Sequence, residues 1–351
     1  MILADALDKA EILQWLREED PQALSVLHAE ADRRRRQFVG DAVHLRGLIE
    51  ISNYCVRECG YCGLRASHRE LKRYRLSRDE ILRCAAEAVE LGYGTVVLQA
   101  GEDYGIRSEW LAEIVRRIKE ETRLAVTLSM GERPSEDLRT WREAGADRYL
   151  LRFETSDPVL YALIHPSRTA VPSDRIAILK TLSQLGYEVG SGVMIGIPGQ
   201  TFESLAADIE MFRYLDLDMI GVGPYISHPA TPLGSGLWRR QLDPSEQVPN
   251  TEEMAYKVVA LSRLVCPSAN IPSTTALATV NLRNGRELGL ARGANVVMPN
   301  LTPVAYRRLY EIYPSKACIF ETASTCYSCL NQRIVSIGRS VGSGPGGRVQ
   351  W

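Results

Sequence analysis

The stretch LRGLIEISNYCVRECGYC, residues 45–62, sets the pattern on which the rest of the chain is built. Its first nine residues, 45–53, are mostly apolar, and a triplet of cysteines follows them. A short apolar run bounded by loop residues is typical of a strand that is buried on both faces. The stretch therefore predicts a strand of a parallel sheet that ends at a chemically active loop.

The same unit recurs along the chain, because seven further apolar runs are bounded by loop residues and most are followed by helical periodicity. These runs lie at 95–100, 124–129, 147–154, 188–196, 218–226, 269–275 and 294–300. Alternating strands and helices imply parallel strands joined by right-handed crossovers. Eight such units in about 250 residues are typical of a closed barrel. We therefore predict an α/β fold, a (β/α)8 TIM-type barrel over residues 41–305.

Two segments flank the predicted barrel. Residues 1–40 are predicted to form an N-terminal helical extension, because apolar residues recur at three- and four-residue spacing over 5–38. Residues 306–351 are predicted to form a C-terminal cysteine-containing appendage, whose Gly-rich stretch 338–350 should be mobile. In such a barrel the reactive side chains lie at the C-terminal ends of the strands. We therefore look for function in the loops that follow the strands.

The composition argues against several classes of protein. The chain has 351 residues, with 42 Lys+Arg and 43 Asp+Glu, so its formal net charge is −1. Such a balance gives no overall attraction for nucleic acid or for an acidic membrane, and no apolar run reaches the roughly 20 residues of a membrane span. The acidic, amphipathic start lacks the layout of a secretory signal. We expect a cytoplasmic protein that binds neither nucleic acid nor membrane and keeps its eight cysteines reduced.

The first cysteine triplet is the most informative motif. Cys55, Cys59 and Cys62 are spaced C-x3-C-x2-C on the loop after the first predicted strand. Three thiolates can bind three irons of a 4Fe-4S cluster and leave the fourth iron open to an outside molecule, whereas four ligands would saturate it. Structural zinc normally takes four protein ligands, and the nearest additional one is His68. Zinc and unrelated free thiols remain the alternatives to a reactive cluster.

This loop resembles the signature of the radical S-adenosylmethionine (SAM) superfamily, in which an aromatic residue, here Tyr61, precedes the third cysteine. The resemblance implies that the open iron binds SAM, whose reductive cleavage gives methionine and a 5′-deoxyadenosyl radical. It makes Cys55, Cys59 and Cys62 the catalytic residues. The protein would position the cofactor and exclude water, while the cluster and SAM supply the difficult chemistry.

The resemblance also implies cofactor contacts at residues that follow later strands. Gly101 and Glu102 would border the methionine part of SAM. Glu154 would accept hydrogen bonds from the ribose hydroxyls, and Arg175 would bind the carboxylate. Ile195 would lie beside the edge of the adenine. Each residue also has an ordinary structural interpretation, since Gly and acidic residues are common in turns and at helix caps.

Four residues are predicted to face the substrate. The resemblance places Arg152 in the cavity of the barrel, and Ser129, Thr274 and Thr275 lie at the ends of the third and seventh predicted strands. The alternative is a structural ion pair for Arg152 and ordinary packing for the three hydroxyl residues.

A second cysteine triplet, Cys318-x7-Cys326-x2-Cys329, lies beyond the last predicted strand. Three cysteines at this spacing could hold an accessory iron–sulfur cluster, either 2Fe-2S or 4Fe-4S, with an exchangeable ligand completing the site. The alternatives are zinc and loosely packed thiols. We expect this site to be peripheral and dispensable for SAM cleavage.

Ten further stretches, among them LQAGED, DRYLLRFET and IGIPGQT, resemble the HydE family of FeFe-hydrogenase maturases over residues 40–335. The resemblance implies an iron–carbonyl–cyanide–cysteine substrate made by the maturase HydG, and a diiron product that is loaded on the scaffold HydF. An electron donor is also implied. The segment 234–251 is given no role.

Three alternatives remain. The chain also resembles methylornithine synthase and biotin synthase, which belong to the same class of barrel. Methylornithine synthase lacks the C-terminal cysteine triplet, and biotin synthase uses an accessory cluster inside its barrel. A non-catalytic iron–sulfur scaffold is the alternative from another class. Such a scaffold would not need the predicted SAM contacts.

Overall fold

The computed structural model describes residues 7–167 and 173–348. The helices are α1 (Lys9–Arg17), α2 (Pro21–Val39), α3 (Arg78–Glu90), α4 (Ser108–Glu121), α5 (Ser135–Glu143), α6 (Pro158–Ile164), α7 (Arg175–Gln184), α8 (Phe202–Tyr214), α9 (Glu252–Val265), α10 (Thr275–Val280), α11 (Gly285–Leu290), α12 (Val304–Arg307) and α13 (Ala323–Ser336). The strands are β1 (Ala42–Ser52), β2 (Thr95–Ala100), β3 (Ala125–Ser129), β4 (Arg148–Leu150), β5 (Glu188–Ser191), β6 (Met194–Ile195), β7 (Met219–Ile220), β8 (Gly223–Pro224), β9 (Val296–Val297) and β10 (Ser340–Val341).

The strands form a closed parallel ring. Strands β1, β2, β3, β4, β5 and β7 pair in that order, and β9 pairs with β1. Two single bridges, from Met219 to Asn270 and from Pro272 to Val296, span the gap between β7 and β9. The predicted α/β TIM-type barrel is thus confirmed, with its seventh strand reduced to two bridging residues.

The predicted strands at 188–196 and 218–226 are each interrupted. The first is divided into β5 and β6, and the second into β7 and β8. Between β5 and β6 a Cβ on Gly192 would lie 1.8 Å from the carbonyl oxygen of Gly221, between β7 and β8. Two backbones that approach this closely leave no room for a side chain. The interruption separates β6 and β8, which pair with each other, from the main ring.

The N-terminal extension consists of two helices, α1 and α2, which are separated at residues 18–20. Asp20 accepts a hydrogen bond from Ala23 N (2.9 Å) and caps α2, whose first residue is Pro21. Proline fits the first turn of a helix but cannot continue one, because it lacks an N–H donor. The two helices pack on α8 and α9 at the outside of the barrel.

The Gly-rich stretch is packed where it is described, so the prediction that it is mobile was wrong for 338–348. Strand β10 pairs in parallel with β1. Beyond it the carbonyl oxygen of Gly346 accepts hydrogen bonds from Arg46 Nη2 (2.9 Å) and Asn270 Nδ2 (3.2 Å). These buried side chains need acceptors, and the glycines let a backbone reach them. The segment 340–348 closes the N-terminal end of the barrel.

Within the described residues, no helix combines the length and apolar character needed to cross a bilayer.

Candidate active site

The cysteine loop that follows β1 is fixed by two other segments of the barrel mouth. Val56 N donates to the carbonyl oxygen of Glu102 (3.0 Å), which comes directly after β2. Gly60 N donates to the carbonyl oxygen of Ile164 (2.8 Å), the last residue of α6. The loop is therefore held at the C-terminal ends of the strands, where this fold carries its chemistry.

The three thiols of this loop share one desolvated space. Burial raises the pKa of all three, that of Cys62 to about 12, and the charge of Cys55 adds to the raised pKa of Cys59 and Cys62. Across residues 7–167 and 173–348, no three His, Cys, Asp or Glu side chains converge on a single metal ion. In a polynuclear iron–sulfur cluster each iron takes its own cysteine, so such a cluster does not require the three thiols to meet at one metal ion.

Gly101 and Glu102 lie directly against the cysteine loop. A Cβ on Gly101 would be 2.2 Å from the Tyr54 carbonyl oxygen, so only glycine allows this approach. The buried carboxylate of Glu102 accepts hydrogen bonds from Arg57 Nε (2.7 Å) and Glu132 N (3.0 Å). In this structure the side chain of Glu102 therefore holds the loop.

Arg175 begins α7 and lies buried beside the same loop. Its Nε donates to Glu132 Oε1 (2.9 Å), its Nη1 to the carbonyl oxygen of Arg152 (2.6 Å) and its Nη2 to His165 Nε2 (2.5 Å). Burial and the Arg175 charge lower the pKa of His165 to about 2, so this imidazole is a neutral acceptor. These contacts fix the guanidinium in one orientation.

Glu132, Arg57 and His165 are members of this network that the sequence analysis missed. Glu132 Oε2 accepts from Arg57 Nη2 (2.6 Å), while its other oxygen binds Arg175. Glu132 therefore connects the cysteine loop to α7. Its position just after β3 was the available signal, because the acidic residues that follow β2 and β4 were singled out on that ground.

Glu154 combines backbone strain with a carboxylate oxygen that makes no hydrogen bond. Its φ is 66°, a conformation that residues other than glycine rarely adopt. Its Oε2 is 3.1 Å from Arg152 Nη2, but neither atom makes a hydrogen bond to the described residues. Buried polar groups without partners are costly, and strain of this kind is found at functional sites. This pair is the observation that best fits a bound polar ligand.

The loop that carries Glu154 is held by hydrogen bonds to Asp208 of α8. The buried Asp208 Oδ1 accepts from Ser156 N (2.5 Å), Ser156 Oγ (2.6 Å) and Thr155 Oγ1 (3.3 Å). Burial raises the pKa of Asp208 to about 7, and the hydrogen bonds only partly oppose this rise.

A cavity of about 350 Å³ lies inside the barrel and meets the cysteine loop at Tyr61 and Cys62. All four predicted substrate residues line it, namely Ser129, Arg152, Thr274 and Thr275. Its charged wall residues are Arg46, Arg152, Arg286, Lys316, Glu50 and Glu154. Four cations against two carboxylates favour an anionic occupant.

Ile195 is placed differently from the other predicted cofactor residues. It is fully buried in β6, and its carbonyl oxygen accepts from Tyr225 N (2.8 Å). Its side chain is packed with the core and does not line the cavity, whereas its neighbour Met194 does. An adenine contact would therefore have to come from residues beside Ile195.

The second triplet reaches the same cavity, which differs from the expected peripheral position. Cys318 lines the wall, and Arg286 Nη2 donates to its Sγ (3.5 Å). Cys326 is buried on α13 and hydrogen-bonds the thiol of Cys318, whereas Cys329 of the same helix is exposed. The Cys326 hydrogen bond and the Arg286 charge lower the pKa of Cys318 to about 6. Cys329 alone has the surface exposure that was expected of the whole triplet.

Comparison with known proteins places this geometry in a family. The profile of the Radical SAM superfamily matches residues 49–212. The FeFe hydrogenase maturase subunit HydE of Thermotoga maritima is 44% identical over 98% of this chain and 97% of its own length. The 3-methylornithine synthase of Methanosarcina acetivorans is 28% identical over 80% of this chain and 75% of its own.

Solved structures agree in fold. Methylornithine synthase superposes with a TM-score of 0.79 at 25% identity, over 96% of this chain and 94% of its own. The FeFe-hydrogenase maturase HydG of Carboxydothermus hydrogenoformans superposes with a TM-score of 0.71 at 20% identity, over 84% of this chain and 68% of its own.

Proposed function

Since this chain belongs to the radical SAM superfamily and, within it, to the HydE family of FeFe-hydrogenase maturases, we propose that it converts an iron–carbonyl–cyanide–cysteine precursor during assembly of the diiron subcluster. The chain is a radical SAM enzyme. The observation that carries the proposal is the Arg152–Glu154 ion pair, whose facing atoms make no hydrogen bond and which lines the same cavity as the end of the three-thiol loop.

In this proposal Cys55, Cys59 and Cys62 hold a 4Fe-4S cluster that binds SAM and supplies the electron for its cleavage to a 5′-deoxyadenosyl radical. The chain's own residues position and enclose the reactants. Glu154 accepts hydrogen bonds from the ribose hydroxyls, which would satisfy its buried oxygen. Its strained backbone aims the carboxylate before SAM arrives, which lowers the entropic cost of binding.

Arg175 binds the SAM carboxylate in this proposal. The hydrogen bonds to Glu132, His165 and the Arg152 backbone use three of its five N–H groups, so two remain for a ligand. Gly101 and Glu102 border the methionine part, and the region of Ile195 borders the adenine. Because Glu132 also binds Arg57, the SAM side and the cysteine loop keep one relative position.

The substrate side consists of Ser129, Arg152, Thr274 and Thr275. The cationic walls of the cavity suit a cyanide-bearing iron complex, which is anionic. We further propose that HydG supplies this substrate, that HydF receives the product and that a cytoplasmic electron donor reduces the cluster. Cys318, Cys326 and Cys329 hold an accessory cluster in this proposal, whether 2Fe-2S or 4Fe-4S.

Two measurements test the proposal. Anaerobically reconstituted protein, reduced with titanium(III) citrate and given SAM, should release 5′-deoxyadenosine, which a non-catalytic scaffold would not do. Hydrogenase maturation in vitro should then require the chain. Cleavage of SAM without any effect on maturation would instead favour a methylornithine synthase-like or biotin synthase-like activity on another substrate.

A further inference from the structure

The segment 234–251, to which the sequence analysis gave no role, contacts three loops of the barrel mouth. These are the cysteine loop after β1, the loop of Glu154 after β4 and the loop 196–200 after β6. In the proposed function each of these loops approaches a different part of the bound cluster and SAM. A segment that contacts all three can fix their relative positions.

The first of these contacts is with the cysteine loop. Leu233 N, directly before the segment, donates to the carbonyl oxygen of Gly60 (3.0 Å). A Cβ on Gly60, the residue after Cys59, would lie only 2.4 Å from Cε3 of Trp238, so the indole packs directly on the Gly60 backbone. Trp238 and Tyr61 also pack against the same apolar cluster. The segment is thus fixed to the loop between the second and third cysteines.

The far end of the segment is hydrogen-bonded to the loop 196–200. Gln247 Oε1 accepts from Gly199 N (2.8 Å). Val248 N donates to the carbonyl oxygen of Gln200 (3.0 Å). In the proposed function this loop borders the adenine, so the segment holds the backbone on that side of the site.

Arg240 makes the third contact and joins two of the loops. It forms an ion pair with Asp157, and the two side chains are 28% and 15% exposed. Asp157 follows Glu154 by three residues and caps α6. The stem of Arg240 packs on the other loop, because a Cβ on Gly199 would lie 2.7 Å from Arg240 Cβ. Arg240 therefore connects the loop of Glu154 to the loop that borders the adenine.

We propose that Arg240 is a positioning residue for SAM, which holds the loop of Glu154 and the loop 196–200 at the separation that the nucleoside requires. The inference rests on the proposed function, because that function assigns the two loops to the ribose and the adenine. Arg240 lies outside the cavity wall, so it acts through Asp157 and Gly199. Ribose and adenine are covalently joined, and a displacement of one loop therefore weakens contacts that were arranged in advance.

The test compares Arg240→Met with Arg239→Met. Arg239 is the exposed neighbour, and its Nε donates within the segment to the carbonyl oxygen of Gly236 (2.9 Å). The dissociation constant for SAM is measured by equilibrium dialysis with anaerobically reconstituted, unreduced protein, so that SAM is not cleaved. We expect Arg240→Met to raise this constant about fivefold, as the loss of a coupled pair does, and Arg239→Met to leave it unchanged. Arg240→Lys keeps the charge and should recover part of the loss.

Asp157→Asn tests the ion pair from its other side. Asparagine caps a helix about as well as aspartate does, so α6 keeps its cap while the ion pair is lost. Asp157→Asn should raise the dissociation constant about as much as Arg240→Met does, and the double variant should add little to either. Amide hydrogen exchange of residues 154–160 should become faster in both single variants and stay unchanged in Arg239→Met.

The failure of this inference is distinguishable from the failure of the proposed function. If the reconstituted wild-type protein does not bind SAM, the proposed function is wrong. If the wild type binds SAM, and Arg240→Met and Asp157→Asn bind it equally tightly, the positioning role is overturned. Fully additive effects of the two substitutions would also overturn it, because the two residues would then act separately.

Discussion

The two cysteine triplets reach the same cavity, but they differ in how the chain supports them. The loop of Cys55, Cys59 and Cys62 is tied to the strand ends by backbone hydrogen bonds and by the buried Arg57–Glu132 pair. The second triplet has one thiol on the cavity wall, one buried on α13 and one exposed. Two cysteine triplets that share a C-x2-C pair therefore form one rigid site and one that is partly open. The comparison teaches that a cysteine motif indicates how many thiols are available. The burial and hydrogen bonds around the thiols determine whether they form a rigid site.

The largest expected effect separates the triplets directly. Cys59→Ala should reduce SAM cleavage to the level seen without protein, because the cluster loses one of its three protein ligands. The measurement is 5′-deoxyadenosine formation under reducing, anaerobic conditions. Cys84→Ala, which removes a buried thiol from α3, is the control and should retain activity. Unchanged product from Cys59→Ala would refute the cluster assignment.

A smaller effect is expected when Arg175 is replaced, because this residue belongs to the hydrogen-bond network that supports the first triplet. Arg175→Lys keeps the charge but loses the fork of donors that holds Glu132, His165 and the ligand. The KM for SAM should rise about tenfold, which corresponds to about 1.4 kcal/mol, while kcat falls less. An exposed control, Arg116→Lys, should change neither constant. An unaltered KM in Arg175→Lys would remove this residue from the proposed SAM site.

The stability of the loop that carries Glu154 should depend on pH, because Asp208 holds this loop. Asp208 has an ordinary pKa of 3.8 and a pKa of about 7 in the folded protein, so the folded chain holds a proton that the unfolded chain releases. The free energy of unfolding should therefore fall as the pH rises from 3.8 to about 7, by at most about 1.4 kcal/mol per pH unit.

Asp208→Asn imitates the protonated form and should flatten this dependence in urea unfolding of the metal-free protein. At pH 8 its free energy of unfolding should be higher than that of the wild type by about 1 kcal/mol. The reference is Asp79→Asn, a change at an exposed position in the first turn of α3. Parallel pH profiles for Asp208→Asn and the wild type would contradict the raised pKa.

The smallest expected effect concerns the exposed end of the second triplet. Cys329→Ala should change SAM cleavage by less than about twofold, as surface substitutions away from a site generally do. The iron content per chain should nevertheless fall if the second triplet holds a cluster. A loss of SAM cleavage in Cys329→Ala, with the first cluster intact by spectroscopy, would show that the two triplets are functionally coupled.

Much of the fold could be predicted from the sequence, because a buried parallel strand produces an apolar run that is visible without tertiary information. The break at Gly192 could not, since it depends on the backbone of Gly221 across the sheet. Glu132 was missed for a similar reason. Its partners Arg57 and Arg175 are 75 and 43 residues away, so its position after β3 could have marked Glu132 itself but not these two ion pairs. The Gly-rich sequence of the packed segment 340–348 is typical of a flexible linker. The segment is fixed by contacts with residues that are distant in the sequence.

The contacts of Gly346 also bear on when the molecule can assemble. Its carbonyl oxygen binds Arg46, a residue 300 positions earlier in the chain, and β1 pairs with β10 and β9 from the same late part of the sequence. A nascent chain on the ribosome therefore carries the cysteine loop long before β9, β10 and Gly346 have been synthesised. Contacts of such sequence separation form late in folding. Iron should accordingly be inserted after translation has delivered residues 340–348, and a stalled or truncated polypeptide would expose its thiols without a barrel to enclose them.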